Sequence, residues 1–212
     1  MSQHKTEHAL PAKCEHCDRP MSDVVVCDYC KGLNHVPAAT DYFTLLGLPR
    51  RFDIDRDVLQ QKFVAISRHA HPDFHAGESP EVQRLALQVS SAVNDAYRTL
   101  KEPAGRAGYL LELLGGKSSA EDKSVPDGFL GTAMMMQEEL AEAKASSDLA
   151  ETERLRVVLR TQHDGLLRRI AALYGQYEEA ASCEAVRKEF LQEIRKLINA
   201  VSYVKKLMSQ LP

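Results

Sequence analysis

Arg68-His69-Ala70-His71-Pro72-Asp73-Phe74-His75 decides how this chain is read, because one helical pattern ends inside it and a second begins a few residues later. Upstream, Leu59, Phe63, Ile66 and Ala70 recur at three- and four-residue steps, the apolar stripe of a helix that begins near Asp55. Pro72 disfavours helical geometry at His71 and stops that helix. Downstream, Ser79-Pro80-Glu81 reads as a helix start, with a serine cap, a proline in the first turn and an acid near the positive end of the helix dipole. Val82, Leu85, Val89, Val93, Ala96 and Leu100 carry its stripe. Two antiparallel helices joined by a loop bury such stripes against each other. Before them, Asp41-Tyr42-Phe43-Thr44-Leu45-Leu46 reads as a short helix capped by Asp41 and closed by Gly47 and Pro49.

After the hairpin, Gly115-Gly116-Lys117-Ser118-Ser119 through Val125-Pro126 is polar and turn-rich, a linker by composition. Three helical stretches follow, over about 127–144, 149–177 and 183–208. Asp148 and Glu151 have capping-box spacing, with Asp in place of the usual Ser or Thr. One stretch carries Leu155, Val158, Leu159, Leu166, Ile170, Leu173 and Tyr174; the next carries Val186, Phe190, Ile194, Leu197, Val201 and Val204. Short connections make these helices antiparallel neighbours, a three-helix bundle with little room for an enclosed active site. Strand signals are confined to Val24-Val25-Val26. The expected fold class is therefore mainly α.

The 212 residues carry a net charge of −3, with 44% apolar and 27% charged residues. That is an ordinary globular composition, without the basic stripe of a nucleic-acid binder. No apolar run approaches the length of a membrane span. Residues 1–13 resemble neither a secretory signal nor an organelle-targeting peptide, so the expected compartment is the cytoplasm; only for a eukaryotic chain is the expectation the mitochondrial matrix instead.

Four of the five cysteines form two pairs, Cys14-Glu15-His16-Cys17 and Cys27-Asp28-Tyr29-Cys30. Two such turns can bring four sulfurs into the tetrahedral coordination of a structural zinc. A segment this poor in large apolar groups does not fold by burial alone, and a metal would supply the missing free energy. Cys14, Cys17, Cys27 and Cys30 are thus the expected ligands, with zinc as cofactor and iron as the alternative. His16 and His35 are substitute ligands that four thiolates make unnecessary. Cys183 stands alone and reads as packing.

The hairpin and its His71-Pro72-Asp73 loop, taken with Asp41-Tyr42-Phe43-Thr44-Leu45-Leu46-Gly47-Leu48 and Val93-Asn94-Asp95-Ala96-Tyr97-Arg98-Thr99-Leu100, resemble a J domain. The resemblance implies a co-chaperone whose tripeptide docks on a DnaK-type ATPase chaperone and promotes its ATP hydrolysis. It assigns chaperone binding to His71, Pro72 and Asp73, with Lys62 and Arg68 of the preceding helix, and assigns no catalytic residue to this chain. One departure is Phe74, where many J domains have lysine, after a helix that is only modestly basic. That predicts weak or partner-specific electrostatic docking, and hence a dedicated chaperone.

Arg106-Ala107-Gly108-Tyr109-Leu110-Leu111-Glu112-Leu113-Leu114-Gly115 followed by a bundle resembles, more narrowly, the HscB-type co-chaperones, which deliver the iron–sulfur scaffold protein to such a chaperone. Some of them carry an N-terminal cysteine module. The resemblance implies an L shape, with residues 1–40 as zinc module, 41–114 as J domain, 115–126 as linker and 127–212 as scaffold-binding domain. It carries scaffold binding over to Leu130, Met134 and Phe190, while Gly131 stands where a large apolar residue is usual. The partners implied are the chaperone and the scaffold, with neither nucleic acid nor membrane. Two alternatives remain open. One is a general J-protein adaptor with another client. The other is a metallohydrolase using His69, His71, Asp73 and His75, although one extra residue breaks that motif's register.

Overall fold

The computed structural model describes residues 13–180 and 183–211, so residues 1–12 of the expected zinc module lie outside it. The described residues form seven α-helices and one 3-10 turn, and their only sheet-like pairings are two isolated bridges. None of the helices is long and apolar enough to cross a membrane. The chain is mainly helical, as its periodicity implies, and divides into two compact units, Met1–Glu102 and Pro103–Pro212.

In the first unit, α1 (Tyr42–Leu45) is capped by Asp41, whose carboxylate accepts from the backbone N–H groups of Phe43 and Thr44. α2 (Arg56–Ala70) is capped in the same way by Asp55. α3 (Pro80–Lys101) begins at Ser79 with proline in its first turn, as read from the sequence. The ring of Phe63 on α2 stacks on Tyr97 of α3 with centroids 4.1 Å apart, and Gln60 accepts from the Tyr97 hydroxyl. Residues 60–63 meet residue 97 while the loop joins 70 to 80, so the two helices run antiparallel. Leu59, Ile66 and Ala70 of α2 are buried with Leu85, Val89, Val93, Ala96 and Leu100 of α3. Phe43 and Leu46 close the core from α1, and Phe52 and Ile54 add side chains that the helical stripes do not reveal. Burial of each of the larger aliphatic and aromatic side chains among these contributes about 1.5–3 kcal/mol.

The second unit holds α4 (Pro103–Leu113), α5 (Phe129–Ala145), α6 (Leu149–Glu179) and α7 (Glu184–Met208). Asp148 caps α6 by accepting from the Glu151 N–H, but Glu151 turns to Arg154 and does not complete a capping box. The expected three-helix bundle has a fourth member. α4 packs on α6 and α7, and the buried Tyr174 hydroxyl donates to the Ala107 carbonyl at 2.6 Å. The division thus falls after Glu102, and the helix expected to end the 41–114 segment belongs to the carboxy-terminal core. The stretch expected as a linker is strapped along α7: Arg195 Nε donates to the Lys117 carbonyl, and Asn199 Nδ2 to the carbonyls of Asp122 and Ser124. Arg195 is 3% exposed and ion-paired with Glu112, a buried cation that periodicity alone does not reveal. The stripe read on α7 shifts as well, since Val186 is exposed and Leu191 is buried. Cys183, expected to pack, is exposed at the N-cap of α7.

Candidate functional site

The loop between α2 and α3 is a built turn. His71 leaves the helix at φ −66° and ψ 127°, the extended geometry favoured before proline. Pro72 opens a 3-10 turn, Pro72–His75, and His71 caps it: Nδ1 accepts from the backbone N–H of Asp73 at 3.3 Å. The Asp73 carboxylate is left 88% exposed, 3.6 Å from His71 Nδ1, and Phe74 stands out beside it, 72% exposed. His75 folds back instead. Its Nε2 donates to the His69 carbonyl at 2.7 Å, while its Nδ1 is buried without a hydrogen-bond partner, 3.5 Å from the Glu78 carboxylate.

This geometry does not gather His69, His71, Asp73 and His75 around a common point, because His75 is turned onto backbone. The one group of potential metal ligands among the described residues is the four cysteines. A proline-stiffened turn with a projecting carboxylate can present a charged contact to a partner at little cost in entropy. Of the basic residues read as neighbours of this contact, Arg68 is exposed. Lys62 is engaged, its ammonium 3.7 Å from the carboxylate of Asp23 in the cysteine segment, a partner that its distance in sequence hid.

The cysteine segment is two copies of one local structure. Asp18 N–H donates to the Cys14 carbonyl and Lys31 N–H to the Cys27 carbonyl, both at 3.0 Å. Asp18 and Lys31 each take a left-handed φ, 56° and 60°. Each turn is closed by a bridge, Lys13 with Pro20 and Val26 with Leu33. The expected strand at 24–26 is reduced to that single bridge, its valines being buried. The two turns are tied by Glu15 N–H to the Asn34 side chain at 2.8 Å and by His16 Nε2 to the Leu33 carbonyl at 2.7 Å. A Cβ at Gly32 would come within 2.7 Å of the His16 ring, so this approach requires glycine. His16 and His35 are thus used outside the sulfur cluster, His35 pairing with Glu15.

The four sulfurs lie within 4.8 Å of one another, with Cys14–Cys30 and Cys17–Cys27 at 3.6 Å. A tetrahedral ion with metal–sulfur bonds of about 2.3 Å sets its sulfurs about 3.8 Å apart, so the cluster fits one ion. Backbone N–H groups of Cys30 and Tyr29 point at Cys27 and lower its thiol to about 6. At Cys17 the Arg19 N–H acts in the same direction but is outweighed by burial and the neighbouring sulfurs, which push it up to about 12. The neighbouring sulfurs favour ionisation at Cys27 and oppose it at Cys17, and a bound cation would relieve the opposition.

On α5, Leu130, Met134 and Met135 are exposed by 54%, 61% and 58%, whereas Ala133 and Leu140 are buried. Leu130 and Met134 are one turn apart and share a face. The space beside Gly131 is open, with nothing within 4 Å of where a Cβ would stand. Phe129 packs edge-on to Tyr203, so the start of α5 lies beside the distal half of α7. Phe190 is half-buried and thirteen residues before Tyr203, about 20 Å along that helix, so Leu130 and Met134 form one patch and Phe190 stands apart from it.

A helical hairpin with this turn defines a J-domain protein. Comparison with known proteins narrows the class. The family described as the HSCB C-terminal oligomerisation domain matches residues 125–199. A co-chaperone protein HscB homolog of Ralstonia nicotianae is 36% identical over 162 residues, covering 75% of this chain and 92% of that protein. One from Neisseria meningitidis serogroup A is 35% identical, covering 76% and 98%. The crystal structure of human co-chaperone protein HscB shares the fold, with a TM-score of 0.77 at 24% identity over 94% of this chain and 96% of that one. The chaperone HscB from Vibrio cholerae gives 0.65 at 30% identity, over 81% and 95%. The chain belongs to the HscB family of J-domain co-chaperones.

Proposed function

We propose that this co-chaperone docks its His71-Pro72-Asp73 turn on a DnaK-type chaperone, accelerates that partner's ATP hydrolysis, and delivers an iron–sulfur scaffold protein held on α5 for cluster transfer. The observation that carries the reading is the turn itself: Asp73 is 88% exposed on a turn that Pro72 and the His71 cap hold rigid. Asp73 accepts a charge-assisted hydrogen bond from a partner cation, and Pro72 removes the freedom that docking would otherwise have to freeze. His71 positions the turn through its Nδ1. Arg68 adds a peripheral charge, and Lys62 contributes less than its formal charge because Asp23 sits beside it. Leu130 and Met134 form the apolar contact for the scaffold, with Phe190 as an outlying contact. Cys14, Cys17, Cys27 and Cys30 hold zinc, which organises the segment around them.

The test is chaperone ATPase under single-turnover conditions, with and without purified scaffold. Asp73→Asn keeps the shape of the turn and removes the charge, and stimulation should fall at least tenfold with the melting temperature unchanged. Unaltered stimulation by folded Asp73→Asn would overturn the assignment. Stimulation by the wild-type protein that is indifferent to the scaffold would instead support an adaptor for another client.

A further inference from the structure

The cysteine segment has almost no core of its own. Its internal cluster is Cys14, Met21 and Cys27, with Cys17 against it, so the sulfurs and one methionine are its interior. Yet Val24, Val25 and Leu33 are also buried, and this segment and the hairpin form one compact unit. The second cysteine turn meets the hairpin on both sides of the His71-Pro72-Asp73 turn. On one side, a cleft of about 130 Å³ is shared by Cys27, Lys31 and Asp23 with Ile66 and His69, the last turn of α2. On the other, a cleft of about 300 Å³ is shared by Cys30, Lys31 and Leu33 with His75, Glu78 and Leu85. Lys31 lines both. The segment therefore brackets the turn at His69, two residues before it, and at His75, which ends the 3-10 turn, folds back onto the His69 carbonyl and leaves only 13% of its side chain exposed.

We infer that the cysteine segment is a positioning element for the His71-Pro72-Asp73 turn, so that an ion on the four sulfurs fixes the second cysteine turn and, through it, the geometry of the docking turn. Without an ion, four thiols that are also the segment's interior give it little reason to stay folded. The Asp23–Lys62 pairing and the two clefts that Lys31 and Leu33 share with the hairpin would then be lost together, leaving His75 held by the hairpin alone. Leu33 and His75 are the positioning residues and touch no partner themselves.

The experiment uses the full chain, zinc-loaded and then stripped by a chelator under reducing conditions, and follows amide hydrogen exchange. Stripping should speed exchange across residues 66–79 at least tenfold, leave 129–208 unchanged, and be reversed by added zinc. Acceleration confined to 13–36 would mean that the ion orders only its own segment, and the inference would fail. A second arm leaves the thiols untouched: Leu33→Ala should retain one zinc per chain and still speed exchange at 66–79, and normal protection there would equally overturn it. A third readout rests on the proposed ATPase role. Stripping should raise the concentration needed for half-maximal stimulation several-fold while the maximal rate is kept. Absence of any stimulation, loaded or stripped, would refute that role and leave the exchange result to decide the positioning.

Discussion

At the scale of single residues, Asp41 shows how one side chain sets the entry to the hairpin. Burial by itself would raise its carboxyl, but the Thr44 hydroxyl at 2.7 Å, the Thr44 N–H and the Arg50 guanidinium outweigh that and hold it below the usual carboxylate range. The sign follows from linkage. A carboxyl lower in the folded state than in the unfolded one contributes its full stabilisation above about pH 4 and loses it as pH falls through the lower, folded value. Asp41→Ala should therefore cost about 1–3 kcal/mol at neutral pH. The gap between the variant and the parent should close in acid, as read by urea denaturation at a series of pH values. A gap that stayed constant to pH 2 would show that the charge is not what matters. The cap was legible from the position of Asp41 before the helix. Arg50 was not, because nothing in nine residues of spacing says that a chain reversal at Gly47 brings it back.

At the scale of elements, α5 keeps core and surface on opposite faces, with Ala133 2% exposed next to Met134. Leu140 is 2% exposed while Met134 is 61% exposed. Leu140→Ala should cost about 2–5 kcal/mol by opening a cavity. The double variant Leu130→Ala, Met134→Ala should cost less than about 1 kcal/mol and weaken scaffold binding at least tenfold in calorimetry. Large destabilisation with unchanged binding would reverse the roles given to these residues. Gly131 offers the opposite change. Its open surroundings admit a side chain, so Gly131→Leu should stabilise α5 by about 0.5–1 kcal/mol and, by extending the exposed apolar face, tighten the scaffold complex. The helices themselves were readable because periodicity, caps at Asp41, Ser79 and Asp148, and Pro72 all agree. Which face each stripe meets was less so. The reading of α7 placed Val186 inward, but its first turn is exposed, and burial begins where the segment at 115–124 lies along the helix and Arg195 and Asn199 bind its carbonyls. That strap is made by side chains reaching backbone some 75 residues away in sequence, and backbone carbonyls carry no sequence signature.

At the scale of the molecule, the division after Glu102 gives each unit its own interior, one that includes four clustered cysteines able to hold a metal ion and the other built mainly by apolar packing around a few buried polar links. The sequence pattern C-x-x-C twice over was enough to name the four cysteines whose sulfurs the structure brings together. It could not show that the segment carrying them lies against the hairpin, since Asp23, Leu33 and Lys31 carry no motif. The two kinds of interior should respond to different insults. Zinc bound by four thiolates contributes an apparent 10–16 kcal/mol in small zinc domains at neutral pH, whereas α6 and α7 are held by buried leucine, isoleucine and tyrosine side chains such as Leu159, Ile170 and Tyr174. In calorimetry, a chelator should lower the transition belonging to the first unit by ten degrees or more, roughly what a loss of about 2 kcal/mol does to a domain of this size, and leave the second where it is. Leu159→Ala, at 1% exposure, should do the reverse, lowering only the second transition by about 2–5 kcal/mol. If chelation and Leu159→Ala moved the same single transition, the two interiors would be one cooperative unit, and protection of the docking turn could no longer be traced to the cysteine segment beside it.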